Sequence, residues 1–135
     1  MKIKKAEIVE KVWGYEEYIA NFPDSGYCGK KLHLNKGYRC SVHSHPEKDE
    51  TFYIEKGRIY FELQNGECME ETILIPGNIV DIHDGKLHRF SGLEDSVIIE
   101  FSMPDVESKR KTDSEVIPDF ENFAENVEKR LGGEK

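Results

Sequence analysis

The chain has 135 residues, of which 37% are hydrophobic and 34% charged, and its formal net charge is −8. This length predicts one domain around one core, and the acidic balance argues against nucleic-acid binding, which relies on clustered Lys and Arg. The sequence contains no apolar run long enough to span a bilayer. Its first residues turn acidic before any apolar stretch develops, which is not typical of a secretory signal. We therefore expect a cytoplasmic protein with no nucleic-acid or membrane partner.

Short β-prone segments with turn residues between them occupy the middle of the chain. Residues that are β-branched or aromatic are concentrated at 31–34, 50–55, 58–63, 71–75, 79–82 and 96–101. Glycine-containing turns such as Asn65-Gly66 lie between these segments, and Asn-Gly is a strong signal for a hairpin. Regular short strands of this kind predict an all-β sandwich or barrel.

In the last part of the chain, the apolar residues recur at the spacing of a helix rather than of a strand. Apolar residues follow Pro118 at helical spacing and precede Gly132-Gly133; they are Phe120, Phe123, Ala124, Val127 and Leu131. Proline in a first turn and glycine after the last turn are typical helix boundaries. We expect a β-barrel domain at 1–113 and a helical extension at 114–135 that packs on the barrel or on a partner subunit, and we expect a homodimer.

The cysteines do not predict a covalent or thiolate-metal framework. Cys28, Cys40 and Cys68 are an odd number at irregular spacing, without a Cys-x-x-Cys pair. Such a pattern argues against a disulfide framework and against a thiolate zinc site. We expect all three to be small buried or half-buried residues in a reducing compartment.

The histidines contain the strongest chemical signal. His43 and His45 are two residues apart, a spacing that places both rings on one face of a strand, although a surface pair of this kind often lies only in water. Glu50 follows after a turn-like stretch, and His88 comes later in the chain. Three neutral imidazoles and a carboxylate make a suitable ligand set for a divalent transition metal. Such a set can leave coordination positions open for substrate.

Glycine placement connects these residues to a known family. Gly37 and Gly57 enclose the ligands in the order Gly-x5-His-x-His-x4-Glu-x6-Gly, and Gly77, Gly85 and His88 follow a second pattern. The chain therefore resembles the cupin superfamily, from about residue 12 to residue 113. The second pattern differs from that of the family at two positions: His83 replaces the usual proline, and Gly92 replaces the usual asparagine.

This resemblance implies a fold and a metal site. The fold is the cupin double-stranded β-helix, a jelly-roll-like barrel, here with a C-terminal amphipathic helix. The implied ligands are His43, His45, Glu50 and His88, which would hold one divalent ion. We expect manganese first, with zinc, iron, cobalt or nickel as alternatives that the same ligands suit.

Other residues resemble the small cupin sugar isomerases, which include D-lyxose isomerases and type II mannose-6-phosphate isomerases. The similar segments are 12–17 with Trp13-Gly14, 29–32 with Lys30, 98–101 with Glu100, and Arg110 to Asp113. The acidic pair usual before that arginine is present only loosely, as Asp105 and Glu107. The resemblance implies aldose–ketose interconversion of a small-molecule sugar.

The catalytic candidates follow from that reaction. Glu100 or His83 would carry the proton, and Lys30 would stabilise negative charge on an enediolate. His83 could equally be a surface residue in a turn. Since Arg39, Lys30 and Arg110 are the cations available for a phosphate, we expect an unphosphorylated sugar.

Two other functions use the same ligand set. One is a non-catalytic cupin that binds a small sugar or acid, and the other is a metal-dependent dioxygenase. An isomerase needs an acid or base near the metal that is not itself a ligand, whereas a binding module does not. The position of that group is therefore the observation that separates the first two functions.

Overall fold

A computed structural model describes residues 1–83, 85–104 and 108–133. In chain order the elements are β1 (Glu7–Lys11), β2 (Gly14–Phe22), a 3-10 turn (Pro23–Ser25), β3 (Tyr27–Leu34), β4 (Tyr38–Arg39), β5 (His43–Ser44), β6 (Glu50–Lys56), β7 (Ile59–Asn65), β8 (Cys68–Leu74), β9 (Ile79–Ile82), β10 (His88–Gly92), β11 (Ser96–Ser102), β12 (Lys109–Arg110), β13 (Glu115–Val116) and α1 (Phe120–Leu131). The acidic residues Asp105 and Glu107 lie outside the described residues.

The strands form two antiparallel sheets. One sheet has the order β1-β2-β3-β11-β6-β9. In the other, β10 pairs with β4 and β5 on one side and with β7 on the other, β12 and β13 extend the short strands, and β8 pairs with β7. Strands distant in sequence are therefore neighbours, as in a jelly-roll-like barrel.

Strand register determines which polar residues meet between the sheets. His88 of β10 lies opposite His43 of β5 in the second sheet. In the first sheet, Lys30 of β3 lies opposite Glu100 of β11. Directly opposed residues on one sheet face have neighbouring side chains. These pairs from the two sheets supply the polar side chains of the cavity described below.

The core lies between the sheets and consists mainly of aliphatic and aromatic side chains. Its buried members are Trp13, Leu32, Leu34, Cys40, Phe52, Ile54, Ile59, Phe61, Leu74, Ile82, Phe90 and Ile98. Burial of this apolar surface is the main force that holds the two sheets together. Cys68 is exposed at the β7–β8 hairpin, so the expectation that every cysteine is buried or half-buried is wrong for this residue.

The C-terminal helix packs on its own barrel. Val127 is 1% exposed and contacts a second apolar cluster that includes Tyr60 and Leu93. Just before the helix, β13 pairs with β4 and Ile117 is buried, so the chain after residue 113 is continuous with the sheet. Among the described residues, no helix has both the length and the apolar character needed to cross a membrane.

Candidate metal centre and cavity

Three imidazoles meet between the two sheets. His43 and His88 face each other across the β5–β10 ladder, and their ring centroids are 4.4 Å apart. His45 follows β5, and its ring centroid is 4.9 Å from that of His43. One ligand atom from each of the three lies within 4.8 Å of the other two. The three histidines could therefore hold one metal ion.

Backbone carbonyls orient two of these rings. His43 Nδ1 lies 2.8 Å from the Ser41 carbonyl oxygen, and His88 Nδ1 lies 3.0 Å from the Lys86 carbonyl oxygen. Because a carbonyl oxygen only accepts hydrogen bonds, each Nδ1 carries the proton and donates it. Nε2 of each ring then keeps its lone pair, which is the arrangement found in metal-binding histidines.

Burial keeps His88 in the form that a metal requires. His88 is 1% exposed. Its burial, followed by the nearby positive charge of a protonated His43, lowers the pKa of His88 to about 3. A neutral ring at neutral pH can donate its Nε2 lone pair to an ion without first losing a proton.

Glu50 completes the group from the other sheet. It is the first residue of β6 and is 3% exposed. Its Oε2 lies 3.6 Å from His88 Nε2, and its Oε1 lies 3.9 Å from His45 Nε2. Burial, followed by the negative charge of Glu100, raises the pKa of Glu50 to about 7. A cation beside this carboxylate would favour its ionised form.

The donor set fits a divalent transition metal. Three imidazoles and one buried carboxylate are ligands that manganese, iron, cobalt, nickel and zinc accept. His43 and His88 come from one sheet and His45 directly follows a strand of that sheet, whereas Glu50 comes from the other sheet. An ion at this position would therefore connect the two sheets.

Beside these ligands lies a buried chain of alternating charges. Lys30 Nζ is 3.5 Å from Glu16 Oε1 and 3.9 Å from Glu100 Oε2. Lys48 Nζ is 3.5 Å from the same Glu100 oxygen and 3.3 Å from Glu50 Oε1. Each of these side chains is at most 11% exposed. Charges buried this deeply require partners of opposite sign, and the alternation supplies them.

Two further contacts fix Glu100 and Lys30, which lie in the middle of this row of charges. Ser102 Oγ donates a 2.6 Å hydrogen bond to Glu100 Oε2. Lys30 Nζ lies 4.9 Å from the centre of the Tyr18 ring, a cation–π distance. Glu100 and Lys30 are therefore both held in place by neighbours in their own sheet.

These groups line a cavity of about 700 Å³. Its lining includes the proposed metal ligands and the alternating charges of Glu16, Lys30, Glu100 and Lys48. Exposed Lys11 of β1 and exposed Arg110 of β12 also belong to the lining. The cavity therefore opens to solvent between the β1–β2 turn and β12, and its size is in the range of small-molecule sites.

The sequence-predicted residues divide into two groups. Glu100, Lys30 and the proposed ligands line the cavity. His83 lies outside the cavity lining of the described residues: its side chain is 57% exposed, and Nδ1 is 2.9 Å from Asp49 Oδ1. Arg39 also points elsewhere, because its guanidinium donates two hydrogen bonds to Glu115.

Sequence reasoning missed Glu16 and Lys48. Both lie among other charged residues, in Tyr15-Glu16-Glu17 and in Glu47-Lys48-Asp49, which suggests solvent exposure. The period of β2 offered one usable signal, since Gly14, Glu16 and Tyr18 share a face. For Lys48 no local signal exists, because its burial depends on Glu50 and on the distant Glu100.

Comparison with solved structures identifies the fold. The structure is similar to CapF, a capsular polysaccharide assembling protein from Staphylococcus aureus, with a TM-score of 0.67 and 17% identity over 85% of this chain and 32% of that chain. It is similar to oxalate decarboxylase from Bacillus subtilis, with a TM-score of 0.67 and 15% identity over 78% of this chain and 30% of that one. KdgF from Halomonas sp. gives a TM-score of 0.59 and 22% identity over 69% of this chain and 80% of KdgF.

All three are cupin-fold proteins, and the chain has the cupin fold that its sequence predicted. It spans about a third of the length of CapF and of oxalate decarboxylase. No protein-family model matches the sequence, and no curated protein sequence matches it. At these identities the likeness concerns the fold, and cupins carry many chemistries; function has to be argued from the cavity.

Proposed function

We propose that the protein is a metal-dependent isomerase that interconverts an aldose and a ketose, with an unphosphorylated sugar as substrate. The observation that supports this most strongly is the position of Glu100. Its carboxylate lines the cavity beside the proposed metal ligands, is 3% exposed, and lies 3.5 Å from Lys48 Nζ. It is thus an acid–base group near the ligands that belongs to no ligand set. A binding module would not need such a group, and its burial is costly.

The ligands of the proposed ion are His43, His45, Glu50 and His88, and the ion is manganese or another divalent transition metal. Such an ion would supply Lewis-acid polarisation of the sugar carbonyl. Glu100 removes the proton from C2 of the aldose and returns it to C1, while the hydroxyl proton moves from O2 to O1. Atoms and electrons balance within the sugar, so the reaction needs no external oxidant.

The two buried lysines assist in this scheme. Lys30 Nζ and Lys48 Nζ lie 3.9 Å and 3.5 Å from Glu100 Oε2. Both ammonium groups therefore lie beside the carboxylate that takes up the proton in this scheme. Lys30 also stabilises the negative charge that develops on the sugar oxygens during proton transfer.

The distribution of cations favours a sugar without phosphate. Arg39 is bound to Glu115, and Lys30 lies between Glu16 and Glu100. Lys48 lies between Glu50 and Glu100, which leaves Lys11 and Arg110 at the cavity entrance among the lining cations of the described residues. Phosphate recognition usually relies on several convergent donors.

The homodimer and the cytoplasmic location remain predictions.

Proton NMR of metal-loaded protein tests the proposal. Pentoses and hexoses are incubated one at a time in D2O with protein of verified manganese content. The expected result is protein-dependent appearance of the partner ketose or aldose, with deuterium at the carbon that receives the proton. No conversion across the panel, with full metal occupancy, would contradict the isomerase and favour a non-catalytic sugar-binding cupin.

Two variants assign the activity to this cavity. Glu100→Gln should abolish conversion while the metal content stays unchanged. Glu55→Gln is the matched control, since Glu55 is an exposed carboxylate that pairs with Lys31. Conversion by Glu100→Gln at the wild-type rate would remove Glu100 from the mechanism.

A further inference from the structure

Lys48 is a buried cation inside the proposed ligand motif. It lies in the short segment between His45 and Glu50, and its backbone N–H donates a 3.2 Å hydrogen bond to the His45 carbonyl. Its side chain is 1% exposed, and Nζ lies between Glu50 Oε1 and Glu100 Oε2. A lysine with a long flexible side chain would ordinarily extend into water. Its burial therefore indicates a defined position.

The two oxygens of Glu50 have different neighbours. Oε1 lies 3.3 Å from Lys48 Nζ and 3.9 Å from His45 Nε2. Oε2 lies 3.6 Å from Nε2 of His88. Each oxygen therefore faces a ring nitrogen of a proposed ligand, and the contact with the Lys48 ammonium group distinguishes Oε1 from Oε2.

We propose that Lys48 is a positioning residue that retains Oε1 of Glu50, so that this carboxylate offers the metal Oε2 alone. The inference rests on the metal site of the proposed function. A salt bridge to Oε1 lowers the electron density that this oxygen could donate to an ion, and it opposes rotation of the carboxylate toward a two-oxygen ligation. Glu100 anchors Lys48 from the other side, 3.5 Å away.

The number of donor atoms from Glu50 decides how a substrate can bind. A six-coordinate ion with three imidazole nitrogens and one carboxylate oxygen keeps two positions for other ligands. A carboxylate that donates both oxygens would leave one. A sugar presents adjacent oxygens on neighbouring carbons, and chelation through both of them requires two positions. Lys48 would thereby select for substrates with two vicinal oxygens.

The test uses Lys48→Met, which keeps an unbranched side chain one atom shorter and removes its charge. Wild type and variant are titrated with Mn²⁺, and the bound waters are counted by electron–nuclear double resonance in ¹⁷O-enriched water. Tropolone, whose adjacent oxygens chelate metal ions, serves as the vicinal-oxygen probe. We expect Lys48→Met to bind Mn²⁺ at least as tightly as wild type, to show one fewer bound water, and to bind tropolone about tenfold more weakly.

A control and a second variant keep the outcomes distinct. Lys31→Met removes a lysine that pairs with Glu55 on the outer face of the first sheet, and it should behave as wild type. If Lys48→Met fails to fold because Glu50 and Glu100 then repel each other, the double variant Lys48→Met/Glu100→Gln removes that repulsion. An unchanged water count and tropolone affinity in the folded variant would overturn the role of Lys48 alone. A wild-type protein that binds no Mn²⁺ would overturn the metal site and this inference together.

Discussion

Arg58 donates two hydrogen bonds to Glu128, from Nε to Oε2 at 2.7 Å and from Nη2 to Oε1 at 2.6 Å. The pair connects the turn before β7 to the C-terminal helix, and the Arg58 side chain is 13% exposed. Two parallel N–H···O bonds to one carboxylate are stronger and more directional than a single ion pair. The helix is therefore fixed in orientation as well as by apolar contact.

Replacement of Arg58 by Met should lower the free energy of unfolding by about 1–2 kcal/mol, because Glu128 loses both donors. Denaturant titration followed by circular dichroism measures the change. Lys129→Met is the matched control, since Lys129 and Glu125 form a pair that is 74% and 64% exposed. Such a pair contributes about 0.5 kcal/mol or less. Equal losses of unfolding free energy in both variants would show that the Arg58–Glu128 pair contributes no more than the exposed Lys129–Glu125 pair.

Glu71 gives the helix contact a pH dependence. Its Oε2 accepts a hydrogen bond from Arg130 and its Oε1 accepts one from Tyr60. These hydrogen bonds, that of Arg130 first, lower the pKa of Glu71 below its ordinary value of 4.5. A lowered pKa in the folded state stabilises the protein above pH 4.5, and this contribution is lost as the pH falls through the folded-state pKa.

The melting temperature should therefore fall more steeply in wild type than in Glu71→Gln when the pH decreases from about 6 to about 3. Calorimetry at several pH values measures the difference between the two slopes. The Gln side chain cannot titrate, so the variant reports the loss from all other groups. Parallel slopes would mean that Glu71 makes the same contacts when protonated.

A side chain at position 57 would collide with its neighbours, which explains the glycine at the end of the Gly-x5-His-x-His-x4-Glu-x6-Gly pattern. Its φ is +97°, and a Cβ atom there would lie 2.1 Å from Ser96 Oγ and 2.6 Å from the Asp95 carbonyl oxygen. Gly57→Ala should lower the free energy of unfolding by about 2–4 kcal/mol. Gly66 is the matched control, because its φ is +66° and no heavy atom of the described residues lies within 4 Å of a Cβ there. Gly66→Ala should cost about 1 kcal/mol, from backbone strain alone. Similar losses would show that the contact with Ser96 relaxes easily.

The exposed and the buried thiols should react at different rates. Burial raises the pKa of Cys40 to about 11, and its Sγ accepts a 3.2 Å hydrogen bond from the Phe90 amide. Cys68 is exposed, whereas Cys28 and Cys40 are buried. With an aromatic disulfide reagent we expect one fast thiol per native chain, which Cys68→Ser removes. Fast modification of Cys40 in that variant would show that the cavity admits the reagent and that the thiol ionises there.

Local sequence was sufficient for β6, β7, β9, β11 and the helix, whereas no predicted segment covered β2 or β10. β6, β7 and β11 have buried positions at alternating residues or in short apolar runs, which are the patterns that a sequence displays directly. β1 could not be found in this way, because it is an edge strand with most of its residues exposed and has no apolar face to display. The two-residue strands β4 and β5 exist through pairing with β10, which is distant in sequence.

The candidate site shows the same division between residues that local sequence reveals and residues that depend on distant partners. His43, His45, Glu50 and His88 were predicted as ligands from their spacing, because motif distances along the chain are visible in the sequence. Glu16 and Lys48 were missed, because a buried charge differs from a solvated one only through its partner. Those partners are 14 residues away for the pair of Glu16 and Lys30. For Lys48, the partner Glu100 belongs to a strand far along the chain.

Glu16 offers a test of the charged chain that does not touch the metal ligands. Its Oε1 lies 3.5 Å from Lys30 Nζ, and the residue is 8% exposed. If Lys30 stabilises charge on the sugar, its position depends on Glu16 as well as on Glu100. We expect Glu16→Gln to lower kcat about tenfold with little change in KM, since the contribution of Lys30 grows as charge develops. The metal content should stay unchanged, because Glu16 contacts Lys30 rather than the proposed ligands. Glu17→Gln is the matched control, since Glu17 lies next in β2 and contacts His33 at 3.0 Å. Equal kinetics for wild type and Glu16→Gln would mean that Glu100 alone fixes the ammonium group of Lys30.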